Sequence, residues 1–503
     1  MNLNSNKHEI DKCYTGIPGF DLIARGGLPR ERTTLLSGSS GSGKTVFGCQ
    51  FLAEGILKSG ENGVYVTFEE DADDIRSNMH GFDWSIEDWE DEKKWAFVDA
   101  SSHFREDSVQ VGKFDLSGLI VRILNAIKKV DAKRVSIDSL GSLFSQFTDH
   151  TVVRREILRL GLRLKQENVT ILITAERASE DGNIARFGVE EFATANVVVL
   201  RNRLEEERRR RTIEILKFRG ASHQKGEYSF TLNPGEGMTI IPPLFTLKLA
   251  QESTQKRITS GVKALDDMCG GGFFQDSILL VSGATGTGKT LMSTHFIGAG
   301  VNSDEKCLLF AFEESRRQLI RNAAGWGVDF ETMEKSGKLK IVADYPEVAT
   351  LEEHLIHIKD SIEKYEPNRF ALDSISALER VATKQGFREF AIRLSSYLKQ
   401  KGIASMMTST TNSLWGARSV TQEHISTMTD TIILLRYLEI DGQMLRGINV
   451  LKMRGSQHNN HIMRYSIDEN GMSIGESFKG VGGFMSGGAG MFLSDESVSR
   501  TRD

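Results

Sequence analysis

The chain has few cysteines, no long hydrophobic run and little excess of either charge. Its 503 residues include four scattered cysteines without a CxxC pair, which disfavours a disulfide framework or a zinc site and favours reduced thiols. No apolar run approaches the ~18 residues that a membrane-spanning helix needs, and the first residues are polar, so we expect a cytoplasmic protein. The formal net charge of −5 argues against nonspecific binding to nucleic acid.

Two segments carry the same phosphate-binding pattern, GxxxxGK[ST]. The first is SGSSGSGKT at 37–45, and the second, 245 residues later, is SGATGTGKT at 282–290. In such loops the glycines let backbone N–H groups face phosphate oxygens, the lysine neutralises the β- and γ-phosphates, and the threonine hydroxyl binds Mg²⁺. Each loop follows a short apolar run and precedes a helical pattern, as the motif requires. The chain is therefore predicted to be a tandem NTPase that binds a nucleoside triphosphate with Mg²⁺ at two places.

The similarity between the two halves extends well beyond these loops. The matching segments are 16–22 with 261–267, 66–70 with 310–314, 135–139 with 370–374, and 216–223 with 451–458. In each copy β-branched runs alternate with helical stretches, which is typical of an α/β domain with a mainly parallel sheet. We predict an N-terminal domain at 1–245, a C-terminal domain at 246–475 and a flexible Gly-rich tail at 476–503.

Acidic residues follow predicted strands in both copies. Asp138 and Asp373 each end an apolar strand, where a carboxylate can hold the Mg²⁺ shell, although an aspartate there can also cap a helix. A pair of glutamates ends another strand of each copy, where a carboxylate can orient or deprotonate an attacking oxygen; the alternative is a solvated loop charge. Ligands bind beyond the carboxyl ends of parallel strands, so these groups should converge with the loops. The candidate catalytic residues are Glu69, Glu70, Glu313 and Glu314.

Basic residues recur near the end of each copy. Lys217 and Arg219, like Lys452 and Arg454, are two apart on a predicted strand and would face one way. A neighbouring subunit could present them to the γ-phosphate as fingers; the alternative is a basic strand edge that discourages aggregation. The run RRRR at 208–211 follows acidic residues, which favours a hairpin or a subunit contact over DNA binding.

Together these segments resemble the KaiC family of clock proteins, which consist of two RecA-like P-loop NTPase domains. The resemblance covers about residues 16–478 and is most specific at GGGFFQDS (270–277), FEES (312–315), MRGS (453–456) and HISTMTDT (424–431). It implies a double-ring homohexamer with ATP between subunits in both rings and Mg²⁺ as a cofactor. It also implies ATP hydrolysis in the N-terminal ring and Ser/Thr autophosphorylation and autodephosphorylation in the C-terminal ring.

The resemblance further implies roles for individual residues. Ser426 and Thr427 would be phosphorylated, Thr421 would be an auxiliary site, and Glu313 would be the general base with Glu314 beside it. The implied nucleotide-binding residues of the first copy are Gly41, Ser42, Gly43, Lys44, Thr45, Val46, Lys217, Phe218, Arg219 and His223. Those of the second copy are Thr285, Gly286, Thr287, Gly288, Lys289, Thr290, Leu291, Trp326, Arg446, Lys452, Met453, Arg454, Gly455, Ser456 and His458. The implied metal-binding residues are Thr45, Asp138, Thr290, Glu313 and Asp373.

Only the second copy has hydroxyl side chains at the implied phosphorylation sites. Counting back 235 residues gives the pairs Ser426 and Glu191, Thr427 and Phe192, and Thr421 and Arg186. Self-phosphorylation requires a hydroxyl in line with the γ-phosphate and a carboxylate to take its proton. The difference favours autokinase activity in the second copy, while ordinary strand-entry hydroxyls are the alternative for this pair.

The resemblance implies KaiB as a partner of the N-terminal ring and KaiA as a partner of the C-terminal tail. The segment VGGFMSGGAGMF at 481–492 departs from the family pattern and argues against KaiA binding. An hourglass timer that autophosphorylates without KaiA is then an alternative to a circadian oscillator. Two other classes share the loops: a RecA- or DnaB-like DNA motor, and a nucleotide-gated scaffold that scarcely turns ATP over.

Overall fold

The chain divides into two compact units, Met1–Thr246 and Leu247–Asp503. The computed structural model describes residues 10–101, 116–139, 141, 150–180, 182, 184, 194–205, 208–241, 254–411, 428–440, 442–478, 481–482 and 490–491. Most of the predicted tail lies outside these residues. In the described ranges, no helix has both the length and the apolar character that crossing a membrane would take.

The first unit is built on one large sheet. Its strands are β1 (Lys12–Cys13), β2 (Leu28–Pro29), β3 (Thr33–Gly38), β4 (Gly63–Thr67), β5 (Trp95–Asp99), β6 (Arg134–Asp138), β7 (Thr170–Glu176), β8 (Asn196–Glu205), β9 (Arg208–Phe218), β10 (Glu227–Asn233) and β11 (Gly237–Ile240). Nine of them form a sheet in the order β5-β4-β6-β7-β3-β8-β9-β10-β11. In this order, neighbouring strands are parallel from β5 through β4, β6, β7 and β3 to β8. The pairings of β8 with β9, β9 with β10 and β10 with β11 are antiparallel.

Helices cover this sheet. They are α1 (Phe20–Ile23), α2 (Lys44–Glu54), α3 (Ala72–Met79), α4 (Ile86–Asp91), α5 (Ser117–Val130) and α6 (His150–Lys165). Adjacent strand residues face opposite sides of the sheet, so each face has its own core. Leu36 belongs to a buried cluster with Phe47 and Phe51 of α2, whereas Leu35 belongs to a second cluster with Ile123 of α5.

The second unit repeats this topology. Its strands are β12 (Arg257–Ile258), β13 (Phe273–Phe274), β14 (Ile278–Gly283), β15 (Cys307–Ala311), β16 (Leu339–Ala343), β17 (Arg369–Asp373), β18 (Ala404–Thr410), β19 (Thr431–Ile440), β20 (Gln443–Met453), β21 (Met463–Asp468), β22 (Gly471–Ser477), β23 (Val481–Gly482) and β24 (Gly490–Met491). The large sheet has the order β16-β15-β17-β18-β14-β19-β20-β21-β22, the same as in the first unit. The predicted fold, two α/β domains with mainly parallel sheets, is confirmed.

Helices of the second unit follow the same plan as those of the first. They are α7 (Lys263–Met268), α8 (Lys289–Asn302), α9 (Arg316–Ala324), α10 (Phe330–Lys335), α11 (Leu351–Tyr365), α12 (Ile375–Glu379) and α13 (Lys384–Lys401). In both units the helix that follows the phosphate loop, α2 or α8, starts at the loop lysine. The central strand, the loop and this helix therefore form one continuous piece in each unit.

A polar residue of this helix holds the last hairpin of each large sheet. Gln50 accepts a hydrogen bond from the Met238 amide at 2.7 Å and donates one to the Met238 carbonyl at 3.1 Å. At the matching position of the second unit, His295 Nε2 accepts a hydrogen bond from the Met472 amide at 3.3 Å. Burial lowers the pKa of His295, and only the neutral ring can accept this bond. The second hairpin is therefore held by a bond that acid breaks.

We expect His295→Gln to make the stability of the second unit less dependent on pH. Because the pKa of folded His295 lies below the unfolded value of ~6.5, the unfolded chain takes up the proton first, and the free energy of unfolding falls as the pH drops through this range. The variant should remove the part of that fall that His295 causes between neutral pH and pH ~5. Urea unfolding at several pH values checks this, with His461→Gln, at an exposed histidine, as the control. Equal pH dependence of all three proteins would contradict the prediction.

Candidate active sites

The first phosphate loop lies between β3 and α2. Gly41 and Gly43 have φ angles of 71° and 91°, a region that residues with a Cβ rarely adopt. Gly43 is the N-cap of α2 and Lys44 is its first residue, so the loop amides and the positive end of the helix face the same space. Ser42 is buried within the loop, and Val46 packs at the margin of the core.

The second loop has the same geometry. Gly286 and Gly288 have φ angles of 79° and 95°, and α8 starts at the next residue, Lys289. Thr287 is buried, and its carbonyl accepts a hydrogen bond from Tyr465 at 2.5 Å. Two other predicted residues lie nearby: Thr285 on the loop is exposed, and Leu291 on the helix is fully buried.

Both loop lysines point back at their own loops. Lys44 Nζ donates to the carbonyls of Gly38 and Ser39 at 3.0 and 2.9 Å, and Lys289 Nζ donates to the Ala284 carbonyl at 3.0 Å. Burial lowers the pKa of both lysines, although the nearby aspartates oppose the shift. Each ammonium group is thus held where a phosphate between loop and aspartate would contact it.

Asp138 sits at the end of β6 and accepts three hydroxyl hydrogen bonds. Its Oδ2 is 2.7 Å from Thr45 Oγ1 and 2.7 Å from the Tyr65 hydroxyl, and its Oδ1 accepts a bond from Thr174. The threonine that should bind the metal ion and the aspartate that should hold the metal's shell are therefore in direct contact. The sequence predicted that these two side chains converge, and their metal-binding roles stay a prediction.

Asp373 occupies the same position at the end of β17. Thr408 and Thr290 donate hydrogen bonds to it, and Leu309 stands where the first unit has Tyr65. Burial raises the pKa of Asp373, and the two threonine bonds oppose the shift. The second site therefore keeps the threonine–aspartate contact but lacks the tyrosine of the first.

The first glutamate of each pair contacts a side chain in the segment that follows the aspartate. Glu69 Oε1 accepts a hydrogen bond from Ser139 at 2.6 Å, whereas Glu313 Oε1 lies 3.7 Å from a guanidinium nitrogen of Arg380. The two units thus hold equivalent carboxylates with different partners, a hydroxyl in the first and a cation in the second.

The second glutamate of each pair is held by an asparagine eight residues later. Asn78 donates to Glu70 at 3.0 Å and Asn322 donates to Glu314 at 2.7 Å. Burial raises the pKa of both glutamates, and the neighbouring aspartate adds to the effect. In each predicted pair, the first glutamate therefore contacts the segment after the aspartate, and the second is held by an asparagine of the helix that follows the pair.

The predicted basic finger Lys217 of the first unit lies toward the amino ends of the parallel strands, here called the amino edge. The phosphate loop follows the carboxyl end of β3, at the loop edge. Leu200 pairs with Gly38 at the phosphate loop, whereas Lys217 pairs with Val197, about 10 Å back along β8. Lys217 Nζ donates to the Thr194 carbonyl at 3.3 Å. Within one chain, this lysine therefore lies away from its own phosphate loop.

The second unit places its basic residues in the same way. Lys452 pairs with Ile432 and donates to the Thr429 carbonyl at 2.7 Å. The prediction that both basic residues of each copy lie on a strand is wrong: β9 ends at Phe218 and β20 at Met453, so Arg219 and Arg454 follow in the turns. The chain leaves the ladder there because each strand reaches the amino edge of its sheet.

Other predicted residues gather in these turns. The Phe218 and His223 rings are 5.5 Å apart, and Arg257 donates to Ser456 at 2.7 Å. The predicted nucleotide-binding residues that follow β20 are Arg454, Gly455, Ser456 and His458. Trp326 follows α9 and packs against the core of the second unit. The predicted phosphorylation sites Ser426, Thr427 and Thr421 lie outside the described residues.

Arg446 differs from the other basic residues because it lies at the loop edge. It pairs with Tyr437 on β19, beyond Leu435 that pairs with the loop residue Gly283. In the first unit Arg211 pairs with Asn202 in the same register. Sequence analysis missed Arg211, although the 235-residue offset that relates Lys452 to Lys217 also relates Arg446 to Arg211.

The arginine run of β9 forms a hairpin with β8, as the sequence predicted. Arg210 lies 3.7 Å from Glu205, and Arg209 donates to the Asn202 carbonyl at 2.9 Å. Arg203 of β8 forms an ion pair with Glu227 at 2.9 Å. Arg203, Arg209 and Arg210 are therefore partnered within the first unit.

The two sites fit a nucleoside triphosphate with Mg²⁺. In the described structure, the Nε atoms of Arg211 and Arg446 are buried at the loop edge without a hydrogen-bond partner, as expected of groups that meet a ligand. No cluster of three or more His, Cys, Asp or Glu side chains among the described residues could hold a metal by itself. Mg²⁺ in such sites binds through few protein groups plus phosphates and water, which suits Thr45 with Asp138 and Thr290 with Asp373.

Each unit therefore defines a nucleotide-binding P-loop ATPase domain with a RecA-like arrangement, and the chain contains two. The model of the KaiC ATPase family matches residues 13–244 and 258–479. The chain is 56% identical to the circadian clock protein KaiC3 of Synechocystis sp., over 98% of this chain and 97% of that protein. It is 52% identical to the circadian clock oscillator protein KaiC of Thermostichus vulcanus, over 98% and 95% of the two chains. The chain belongs to the KaiC family.

Proposed function

We propose that this chain is an ATP-hydrolysing Ser/Thr autokinase and autophosphatase that acts as a circadian or hourglass timing protein. The observation that carries the proposal is the combination of a P-loop site in each unit with hydroxyls, Ser426 and Thr427, at the implied acceptor positions of only the second copy. The family match and the clock proteins among the relatives support the same assignment. Nothing in the described structure favours the DNA motor.

In the first unit the proposed reaction is hydrolysis of ATP. The loop amides and Lys44 bind the phosphates, and Mg²⁺ held by Thr45 and Asp138 would supply charge neutralisation at the β- and γ-phosphates. Glu69, with Glu70 beside it, orients a water molecule and takes its proton as the oxygen bonds to the γ-phosphorus and ADP leaves. Arg211 contacts the bound nucleotide at the loop edge.

In the second unit the proposed acceptor is a side-chain hydroxyl. The oxygen of Ser426 or Thr427 forms a bond to the γ-phosphorus while the bond to the leaving oxygen of ADP breaks, and Glu313 takes the hydroxyl proton. Thr290 and Asp373 would hold Mg²⁺, and Lys289 neutralises the phosphates. Arg446 and Trp326 complete the nucleotide contacts of this site.

We further propose a double-ring homohexamer in the cytoplasm. The position of Lys217 and Lys452 at the sheet edge away from their own loops supports this, because a residue there can reach a γ-phosphate only on a neighbouring subunit. A KaiB-like protein is the proposed partner of the N-terminal ring. The Gly-rich tail argues against dependence on KaiA.

The function is tested with the purified full-length protein, Mg²⁺ and γ-labelled ATP, followed by mapping of the labelled residues by mass spectrometry. We expect label on Ser426 or Thr427 without any added protein, and loss of most of it in Ser426→Ala with Thr427→Ala. Phosphate release by the first unit should continue in this variant because its site is intact. Release of phosphate without any labelled residue would refute the autokinase, and an unchanged label in the double variant would refute the site.

A further inference from the structure

Three side chains at the tip of the first phosphate loop form a network that the proposed reaction does not use. Ser39 on the loop donates a hydrogen bond to Glu180 Oε1. The backbone amide of Asn202 donates to Glu180 Oε2 at 3.1 Å, and the side-chain amide of Asn202 donates to the Gly41 carbonyl at 3.4 Å. The Glu180 carboxylate therefore bridges the loop and β8.

The chain around Glu180 is itself tied to the loop. The Arg177 amide donates to the Gly38 carbonyl at 3.1 Å, and the Arg177 side chain donates to the Gly182 carbonyl at 2.7 Å. A cavity of about 530 Å³ opens beside the tip of the loop; it is lined by Ser39, Ser40, Glu176, Arg177, Ala178, Ser179, Glu180 and Arg209. The carboxylate thus stands at the mouth of the phosphate site and not in a remote part of the surface.

The second loop lacks each member of this network. Strand register equates Ser39 with Ala284, which has no hydroxyl, and Asn202 with Tyr437. The chain that follows β18, residues 411–422, contains no aspartate or glutamate, whereas the chain after β7 has Glu180. Since all three positions differ together, the network belongs to the first site alone.

The network has two effects on a phosphate chain entering the first loop. It adds a negative charge beside a site that must accept several negative charges, and it occupies the Ser39 hydroxyl, a donor that could otherwise serve a phosphate oxygen. Glu180 is among the carboxylates whose charge acts on the Lys44 ammonium group. Its negative charge therefore weakens the attraction between that cation and the phosphates.

We propose that Glu180 is a charge gate of the first site, which weakens nucleotide binding and weakens it more for ATP than for ADP. ATP carries one more negative charge than ADP, so repulsion by the carboxylate acts more strongly on ATP. The gate narrows the preference of the first site for substrate over product, while the second site, which has no counterpart of Glu180 in residues 411–422, keeps a stronger preference. This inference rests on the proposed function only in that the first loop binds ATP.

The test is the affinity of the full-length protein for ADP and for the non-hydrolysable analogue AMP-PNP, measured by titration calorimetry. All proteins carry Lys289→Ala to silence the second loop. Glu180→Gln keeps the size and the hydrogen-bonding oxygen but removes the charge. We expect its Kd for AMP-PNP to fall about three- to tenfold, with a smaller fall for ADP. The difference in Kd between this variant and the protein that carries only Lys289→Ala should shrink as the salt concentration rises.

Asp131→Asn is the matched control. It removes the same charge from an exposed side chain before β6, at the opposite edge of the sheet, and should leave both Kd values unchanged. Equal affinities of the Glu180→Gln variant and the protein that carries only Lys289→Ala would overturn the gate. An equal gain in affinity in the Asp131→Asn control would also overturn it. If AMP-PNP fails to bind the protein that retains Glu180, the proposed nucleotide site of the first unit is itself refuted, and the gate falls with it.

Discussion

Replacing Glu313 and Glu314 together by glutamine is expected to lower autophosphorylation by at least about 100-fold, because both carboxylates proposed to accept the hydroxyl proton are then lost. Glu313 lies 3.7 Å from Arg380 and Glu314 is held by Asn322 at 2.7 Å. A glutamine fits both places, so the fold and the nucleotide contacts should survive. Initial rates of label incorporation and of phosphate release measure the two reactions separately.

The first unit provides the matched control for this prediction. Glu69→Gln with Glu70→Gln should lower phosphate release by the first site by a similar factor, since the asparagine that holds the second glutamate recurs in both units. Autophosphorylation in the second unit should remain. Persistent phosphorylation in the Glu313→Gln, Glu314→Gln protein would show that another group is the base. Loss of both reactions in both double variants would contradict the separation of roles.

The second large effect concerns stability and a buried arginine of each unit. Arg369 on β17 forms an ion pair with Glu305, donates to the carbonyls of Thr259 and Phe296, and lies 5.0 Å from the centre of the Phe296 ring. Arg134 on β6 is the counterpart, with Glu61 and two carbonyls as partners. These side chains are 1% and 0% exposed, so their guanidinium groups depend on these partners and not on water.

We expect Arg369→Leu to lower the free energy of unfolding of the second unit by about 3–5 kcal/mol, because it leaves a carboxylate and two carbonyl groups without their donor. Equilibrium unfolding in urea measures this loss. Adding Glu305→Leu should recover part of it, since the unpaired charge is then also removed.

Arg464→Leu, at an exposed position of β21, is the control and should change the stability by less than about 0.5 kcal/mol. A loss in the Arg369→Leu protein no larger than in this control would show that the buried ion pair adds nothing. The close packing argues against such a result: an ideal Cβ on Gly300 would lie 2.6 Å from Arg369 Cδ, so a residue with a Cβ does not fit beside this side chain.

Much of each site could be predicted because its parts are adjacent in sequence or follow a strand. The phosphate loop, Lys44 and Thr45 form one motif, and Asp138 ends an apolar strand, so a parallel sheet brings them to one edge. The contact between Thr45 and Asp138 follows from that topology. The internal repeat then transfers the same assignment to Thr290 and Asp373.

Residues on the antiparallel strands could not be placed in this way. Lys217 and Arg211 are on the same strand, β9, yet the first lies at the amino edge and the second at the loop edge. Which of them lies at the chain's own phosphate loop depends on the register between β8 and β9, and hydrophobic alternation does not reveal that register. The same reasoning explains why Arg219, beyond the end of β9, was wrongly placed on a strand.

The sequence by itself determined the two domains, their α/β class, both phosphate loops, the acidic residues and the family, because these depend on local patterns and on a repeat within the chain. The tertiary structure decided which edge each basic residue occupies, which partner each glutamate has, and that Glu180 meets Ser39 and Asn202. Those contacts join segments far apart in the chain, and only the packing of the sheet fixes the distances between them.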